Sequence, residues 1–214
     1  MYDLINANIQ DVLETIREDE KFVTEYDWLV EKLHKVAESD YQARYRNYWA
    51  MNAARLSSNW YKVYFQKLQD ARNNVPSIGD LTRELYQHPT QAKGRMSLQF
   101  SFATKLLHMV NPHFPIYDSH VSDFYCYQQK GGDAEDRISG LIEFHDFITK
   151  EYARIIKNSL LSQSIAKFRE LLQQLRSQLQ PESFTDERLI DSLIWAFMDL
   201  LNGGGVIKGQ VIYH

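Results

Sequence analysis

The chain has 214 residues, of which 44% are hydrophobic and 24% charged, and it carries a formal net charge of −4 at pH 7. That length and balance suit one domain with a substantial core and exclude a disordered or strongly basic chain. No window approaches 18 consecutive apolar residues, which excludes a membrane-spanning helix and a membrane partner.

Cys126 is the single cysteine. It cannot form an intramolecular disulfide and leaves no cysteine pair for zinc. The acidic first twenty residues lack the basic start and apolar run of a secretory signal. The expected location is therefore the cytoplasm. Only 9 Gly and 5 Pro are present, against 13 Tyr, 11 Phe and 4 Trp, so the fold class expected is all-α.

Charge is unevenly distributed. Residues 41–110 hold ten basic and three acidic residues, a balance of +7. Residues 1–40 come to −7 and residues 111–214 to −4. A basic middle can bind phosphates even in an acidic protein. The competing reading is that the acidic N-terminal helices dock on it.

In chain order, Ile9, Val12, Leu13 and Ile16 follow the i, i+3, i+4, i+7 spacing of an amphipathic helix. Trp28, Leu29, Leu33 and Val36 predict a second. Ser39-Asp40 offers a cap for a long third segment through Trp49 and Trp60 to Leu68, with a break at Leu56–Asn59 and a fresh cap at Ser57 or Ser58. Ser77, after Pro76, caps a short helix over Ile78–Tyr86. His88–Arg95 is a connector punctuated by Pro89 and Gly94.

A helix from about Ser97 ends at Asn111-Pro112. Another runs from Asp118 to about Tyr127, followed by a turn at Lys130–Asp133. Two more are expected over Ala134–Asn158 and Ser159–Leu179, and Thr185 opens the last, through Trp195 to Leu201. Gly203-Gly204-Gly205 lacks the Lys-Ser/Thr of a phosphate-binding loop and reads as a helix C-cap. The tail beyond it reads as a short strand or coil.

The chemistry concentrates between Ser101 and Val121. On a helical wheel Phe100, Ala103, Leu106, Leu107 and Val110 share one arc, and Ser101, Thr104 and His108 fall opposite. Lys105 sits at the boundary beside Phe102 and Met109, where desolvation can lower an amine pKa. Snorkelling to water is its ordinary alternative. Asp118 heads the next helix, where backbone N–H groups hold a carboxylate ionised. Two elements joined by so short a loop must be neighbours, so Lys105 and Asp118 can face one cleft. His108, His113 and His120 match no metal-ligand spacing, so no metal site is expected.

Phe102-Ala103-Thr104-Lys105-Leu106 followed by Pro115-Ile116-Tyr117-Asp118-Ser119-His120-Val121 resembles the core of helix-hairpin-helix DNA glycosylases. It is similar above all to the 8-oxoguanine-glycosylase branch and its bacterial relatives. Trp49–Ser57, with Tyr64-Phe65 after it, adds to the likeness. The motif covers about a tenth of the chain.

The resemblance implies a two-lobed, all-α glycosylase-like fold over 1–214, with a motif-bearing lobe at 77–128 and a second lobe formed by 1–76 plus 129–214. It implies DNA as partner, no cofactor, and catalysis by Lys105 and Asp118. A neutral Lys105 would displace a damaged, oxidised purine from its sugar, giving glycosylase and lyase activity, while Asp118 stabilises the cationic sugar. An amine with pKa near ~10.4 must be lowered by about three units, roughly 4 kcal/mol, to be neutral at pH 7. Lys93, Arg95 and His120 would contact DNA, joined by Arg44, Arg46 and Arg55 interleaved with aromatic residues.

The sequence departs from the family at the hairpin, which is usually glycine-rich so that backbone amides approach a phosphate. Gln91–Met96 holds one glycine. A catalytically inactive binding module of the same fold, recognising nucleic acid or protein, is the alternative. A helical scaffold in which Lys105 and Asp118 merely pair or cap is a third.

Overall fold

Apolar side chains recurring at helical spacing build the molecule. Its computed structural model describes residues 1–18, 20–91, 94–175 and 184–204, and no strand occurs among them. The α-helices are α1 (Tyr2–Ala7), α2 (Ile9–Glu18), α3 (Glu20–Glu31), α4 (Ser39–Tyr48), α5 (Ser58–Ala71), α6 (Ile78–Tyr86), α7 (Phe100–Val110), α8 (Ser119–Phe124), α9 (Ala134–Lys157), α10 (Ser162–Leu175) and α11 (Asp186–Asn202). Short 3₁₀ turns lie at Leu33–Lys35 and Met51–Ala54. The chain is all-α over the described residues.

Helix starts follow cap chemistry. Ser57, Ser77, Asp118 and Thr185 each accept the backbone N–H three residues on, at 3.1, 3.0, 2.9 and 3.2 Å. Asp133 and Asp136 form a reciprocal capping box at the start of α9. Each such cap contributes about 1 kcal/mol.

Several boundaries differ from the sequence expectation. Ser39 lies inside α4, whose N-cap is Glu38 without a side-chain bond. The long third segment breaks at Trp49, well before Leu56, because Ala50 and Arg55 both take left-handed backbone (φ 52° and 51°). α7 begins at Phe100 rather than Ser97, and α8 ends at Phe124. Gly203 is the C-cap of α11. The expected strand or coil after it lies outside the described residues.

α11 is the central element. It packs on α1, α2, α8, α9 and α10, and ten of its residues are buried, including Leu189, Ile190, Leu193 and Ile194 at 0% exposure. Each of those four side chains contributes about 1.5–3 kcal/mol through burial. The core is contiguous from Ile5 to Met198. No helix among the described residues is long and apolar enough to cross a membrane.

Candidate active site

α7 is buried on nearly all sides. Thr104 and His108, which the wheel sets opposite the apolar arc, are both at 0% exposure. They are buried because each ties α7 to the loop between α7 and α8. Thr104 Oγ1 accepts the Tyr117 amide at 3.1 Å and donates to the Ser101 carbonyl at 2.9 Å. His108 Nδ1 lies 2.8 Å from the Phe114 carbonyl, and its Nε2 lies 2.8 Å from the Tyr26 hydroxyl. A carbonyl only accepts, so Nδ1 carries the proton and Nε2 accepts from Tyr26. Burial and the nearby Arg188 charge push His108 down to about 3, and it stays neutral.

The rest of the loop is clamped in the same way. Thr185 Oγ1 donates to the Pro112 carbonyl at 2.8 Å, His145 Nε2 meets the Pro115 carbonyl at 3.1 Å, and the Ile116 amide donates to the Asp191 carboxyl at 3.1 Å. These bonds fix the approach to Asp118, whose Oδ1 accepts the Val121 amide. Asp191 is buried, accepts the Tyr152 hydroxyl at 2.6 Å, and is pushed up to about 8 by burial.

Lys105 and Asp118 line one cavity of about 290 Å³. Its aromatic walls come from Phe22, Tyr48, Trp49 and Trp195, and Arg188 and Asp191 enter from α11. That volume is near the lower end for small-molecule pockets, about 300 Å³. Lys105 Nζ stands 5.5 Å from the Trp49 ring centroid and 5.4 Å from that of Phe102. Burial lowers the Lys105 ammonium below its usual value; Asp118 opposes the shift and Arg188 adds to it. An amine so placed, in a cavity shared with a carboxylate, can act as a nucleophile.

Arg188 is 3% exposed. Its Nη2 donates to the Tyr48 hydroxyl at 2.7 Å, while its Nε is enclosed and meets no acceptor. The guanidinium carbon lies 4.8, 4.5 and 5.8 Å from the ring centroids of Phe22, Tyr26 and Trp49. The Trp49 indole N–H is likewise buried without a partner.

The other sequence candidates lie around the cleft rather than in its lining. His120 packs on Trp195, ring centroids 5.6 Å apart, beside the cavity wall. Arg44 is engaged: it forms a bidentate pair with Glu25 at 2.9 and 2.7 Å and sits 3.5 Å over Trp28. It therefore docks the acidic α3 onto the basic α4. Arg46 donates to the Gln42 carbonyl and lies over Tyr61.

Arg55 and Arg95 are exposed. Their two loops are joined, since Ser57 N donates to the Thr90 carbonyl at 2.7 Å and Thr90 N to the Arg95 carbonyl at 3.0 Å. Lys93 lies outside the described residues. His113 pairs with Glu187, and no group of three His, Cys, Asp or Glu that could hold a metal occurs among the described residues.

Sequence reasoning missed Arg188, Asp191 and Trp195. Their i, i+3, i+7 spacing puts two ionisable groups and an indole on one face of a helix otherwise buried by Leu, Ile and Phe. Charged residues on the face of so apolar a helix were the available signal. Compared with protein-family models, with curated proteins and with solved structures, the chain matches none.

Proposed function

We propose that this chain is a DNA base-excision glycosylase with lyase activity, built on a two-lobed helix-hairpin-helix glycosylase-like fold and acting on an oxidised purine. The observation that supports this most is that Lys105 and Asp118, joined by one clamped loop, line the same aromatic-walled cavity. A damaged nucleotide swung out of the duplex would place its base among Trp49, Tyr48 and Trp195.

The neutral Lys105 Nζ then attacks the anomeric carbon. The carbon–nitrogen bond to the base breaks, its electron pair leaves with the base, and the base takes up a proton. The new aminal loses a proton from Nζ. As the sugar ring opens, the ring oxygen gains a proton and a Schiff base to Lys105 remains. The Asp118 carboxylate receives the lysine proton and offsets the positive charge that develops on the sugar. No metal or cofactor enters these steps.

The test is a panel of duplexes carrying oxidised, deaminated or alkylated bases, assayed for free base. Release is expected from the oxidised-purine duplex. Lys105→Ala eliminates it, and Asp118→Asn slows it on the order of 10²-fold while leaving duplex affinity nearly unchanged. No base released from any duplex would overturn the reading.

A binding module without chemistry is the second reading. It is favoured by the single glycine of the connector after α6 and by the pairing of Arg44, Lys67 and Arg83 with Glu25, Glu84 and Glu135, which occupies three cations of the basic middle. Duplex binding without base release would select it.

A further inference from the structure

A guanidinium cannot shed its proton, so a buried one must be met by acceptors or an anion. Arg188 is 3% exposed, yet no carboxylate lies within ion-pair distance of it among the described residues, and its Nε has no acceptor. Three aromatic faces and one tyrosine hydroxyl touch it, and the Asp191 and Asp118 carboxyls act on it from beyond ion-pair distance. Those faces attract a cation but do not accept its in-plane N–H groups. A second unpaired buried donor, Trp49 Nε1, belongs to the same wall. Across the cavity Lys105 is another donor. On the wall formed by α11 and Trp49 the Asp191 carboxyl already accepts from the Tyr152 hydroxyl and the Ile116 amide, so the donors there lack a free acceptor.

We propose that Arg188, which lines the cleft without a carboxylate partner, is its specificity determinant and receives a carbonyl oxygen on the edge of a planar heterocyclic base. The planar ring is argued from the walls: Trp49, Tyr48, Phe22 and Trp195 line the cavity, and a bare anion would leave that aromatic surface unused. The carbonyl is argued from the guanidinium that lines the cavity, because a ring amine set against it would place donor against donor. A site built to hydrogen-bond one oxygen rejects the analogue lacking it, since its buried donors are then stranded. This inference rests on the reading that the cleft receives a nucleobase, but not on Lys105 being a nucleophile.

The experiment is isothermal titration calorimetry on the full chain with adenine, hypoxanthine (a carbonyl at C6), 8-oxoadenine (a carbonyl at C8) and inorganic phosphate. One or both carbonyl purines bind at least about tenfold more tightly than adenine. Arg188→Met, which keeps much of the apolar stem, removes that preference, and Arg188→Lys restores part of it. Circular dichroism melts verify that each variant is folded. If Arg188→Met does not fold, Arg188→Lys alone decides, because loss of the planar fork reduces the preference by a measurable factor.

Carbonyl preference without base excision fails the glycosylase reading alone. Equal binding of all three purines, a preference unchanged by the Arg188 variants, binding of phosphate but no purine, or no binding by any probe would each overturn the proposal.

Discussion

Lys105 and Arg188 face the same cavity, and burial acts on them differently. The amine can be neutralised, and burial moves it that way. The guanidinium keeps its charge and adds to the lowering of the lysine across the gap. Asp118 draws the lysine in the other direction, so the pair is poised rather than locked as an ion pair. Two other buried groups give a pH signature.

Between about 6.5 and about 3 the unfolded chain protonates His108 and the folded chain does not. Its contribution to stability is therefore full above pH 6.5 and is lost as pH falls toward 3. Asp191 runs the opposite way. Its folded value of about 8 exceeds the ordinary 3.8, so its contribution is full below pH 4 and is lost as pH rises through 8. Urea midpoints measured from pH 5 to 9 should fall on the alkaline side in the wild type. Asp191→Asn should flatten that fall, and an identical slope in both proteins would contradict the assignment.

At the scale of elements, Asp118 caps α8 and, in the proposed reaction, also receives a proton, and two substitutions separate the two roles. Asp118→Ala loses the cap of α8 and should cost about 1 kcal/mol of stability, read as a lower urea midpoint. Asp118→Asn keeps an acceptor for the Val121 amide and should stay within a few tenths of wild type, while base release collapses in both. Equal stability losses would mean that Asp118 does more structural work than capping.

The caps also explain what the sequence made legible. Ser57, Ser77, Asp118 and Thr185 announce their helices because cap chemistry is local and each bond spans three residues. The break at Trp49 was not legible, because two non-glycine residues, Ala50 and Arg55, adopt left-handed backbone that only the tertiary fold enforces. Thr104 and His108 were likewise opaque: a wheel reports polarity, and their burial depends on partners 13, 82 and 6 residues away.

For the whole molecule, the adjacency of Lys105 and Asp118 could be read from a loop too short to separate them. The far wall could not, since Arg188 and Trp195 come from a helix remote in sequence that only long-range packing brings to the cleft. The net charge of −4 gives no sign that the exposed Arg55 and Arg95 lie on joined loops. If both Lys93 and Arg95 contact phosphates, replacing the two by Ala should reduce the slope of log affinity against log salt by about 2 for duplex DNA. Binding titrations between 50 and 200 mM salt are the measurement, and an unchanged slope would remove both residues from the interface.

The central claim is that Lys105 becomes covalently bonded to the sugar of a damaged nucleotide, and a Schiff base can be caught in the act. The chain is incubated with duplex DNA containing an oxidised purine in the presence of borohydride, and any adduct is digested and its attachment point mapped by mass spectrometry. The predicted result is a reduced protein–DNA adduct on Lys105 that disappears in Lys105→Ala. An adduct that survives Lys105→Ala, or one mapped to another amine, would contradict the claim, as would the absence of any adduct under conditions in which free base is released.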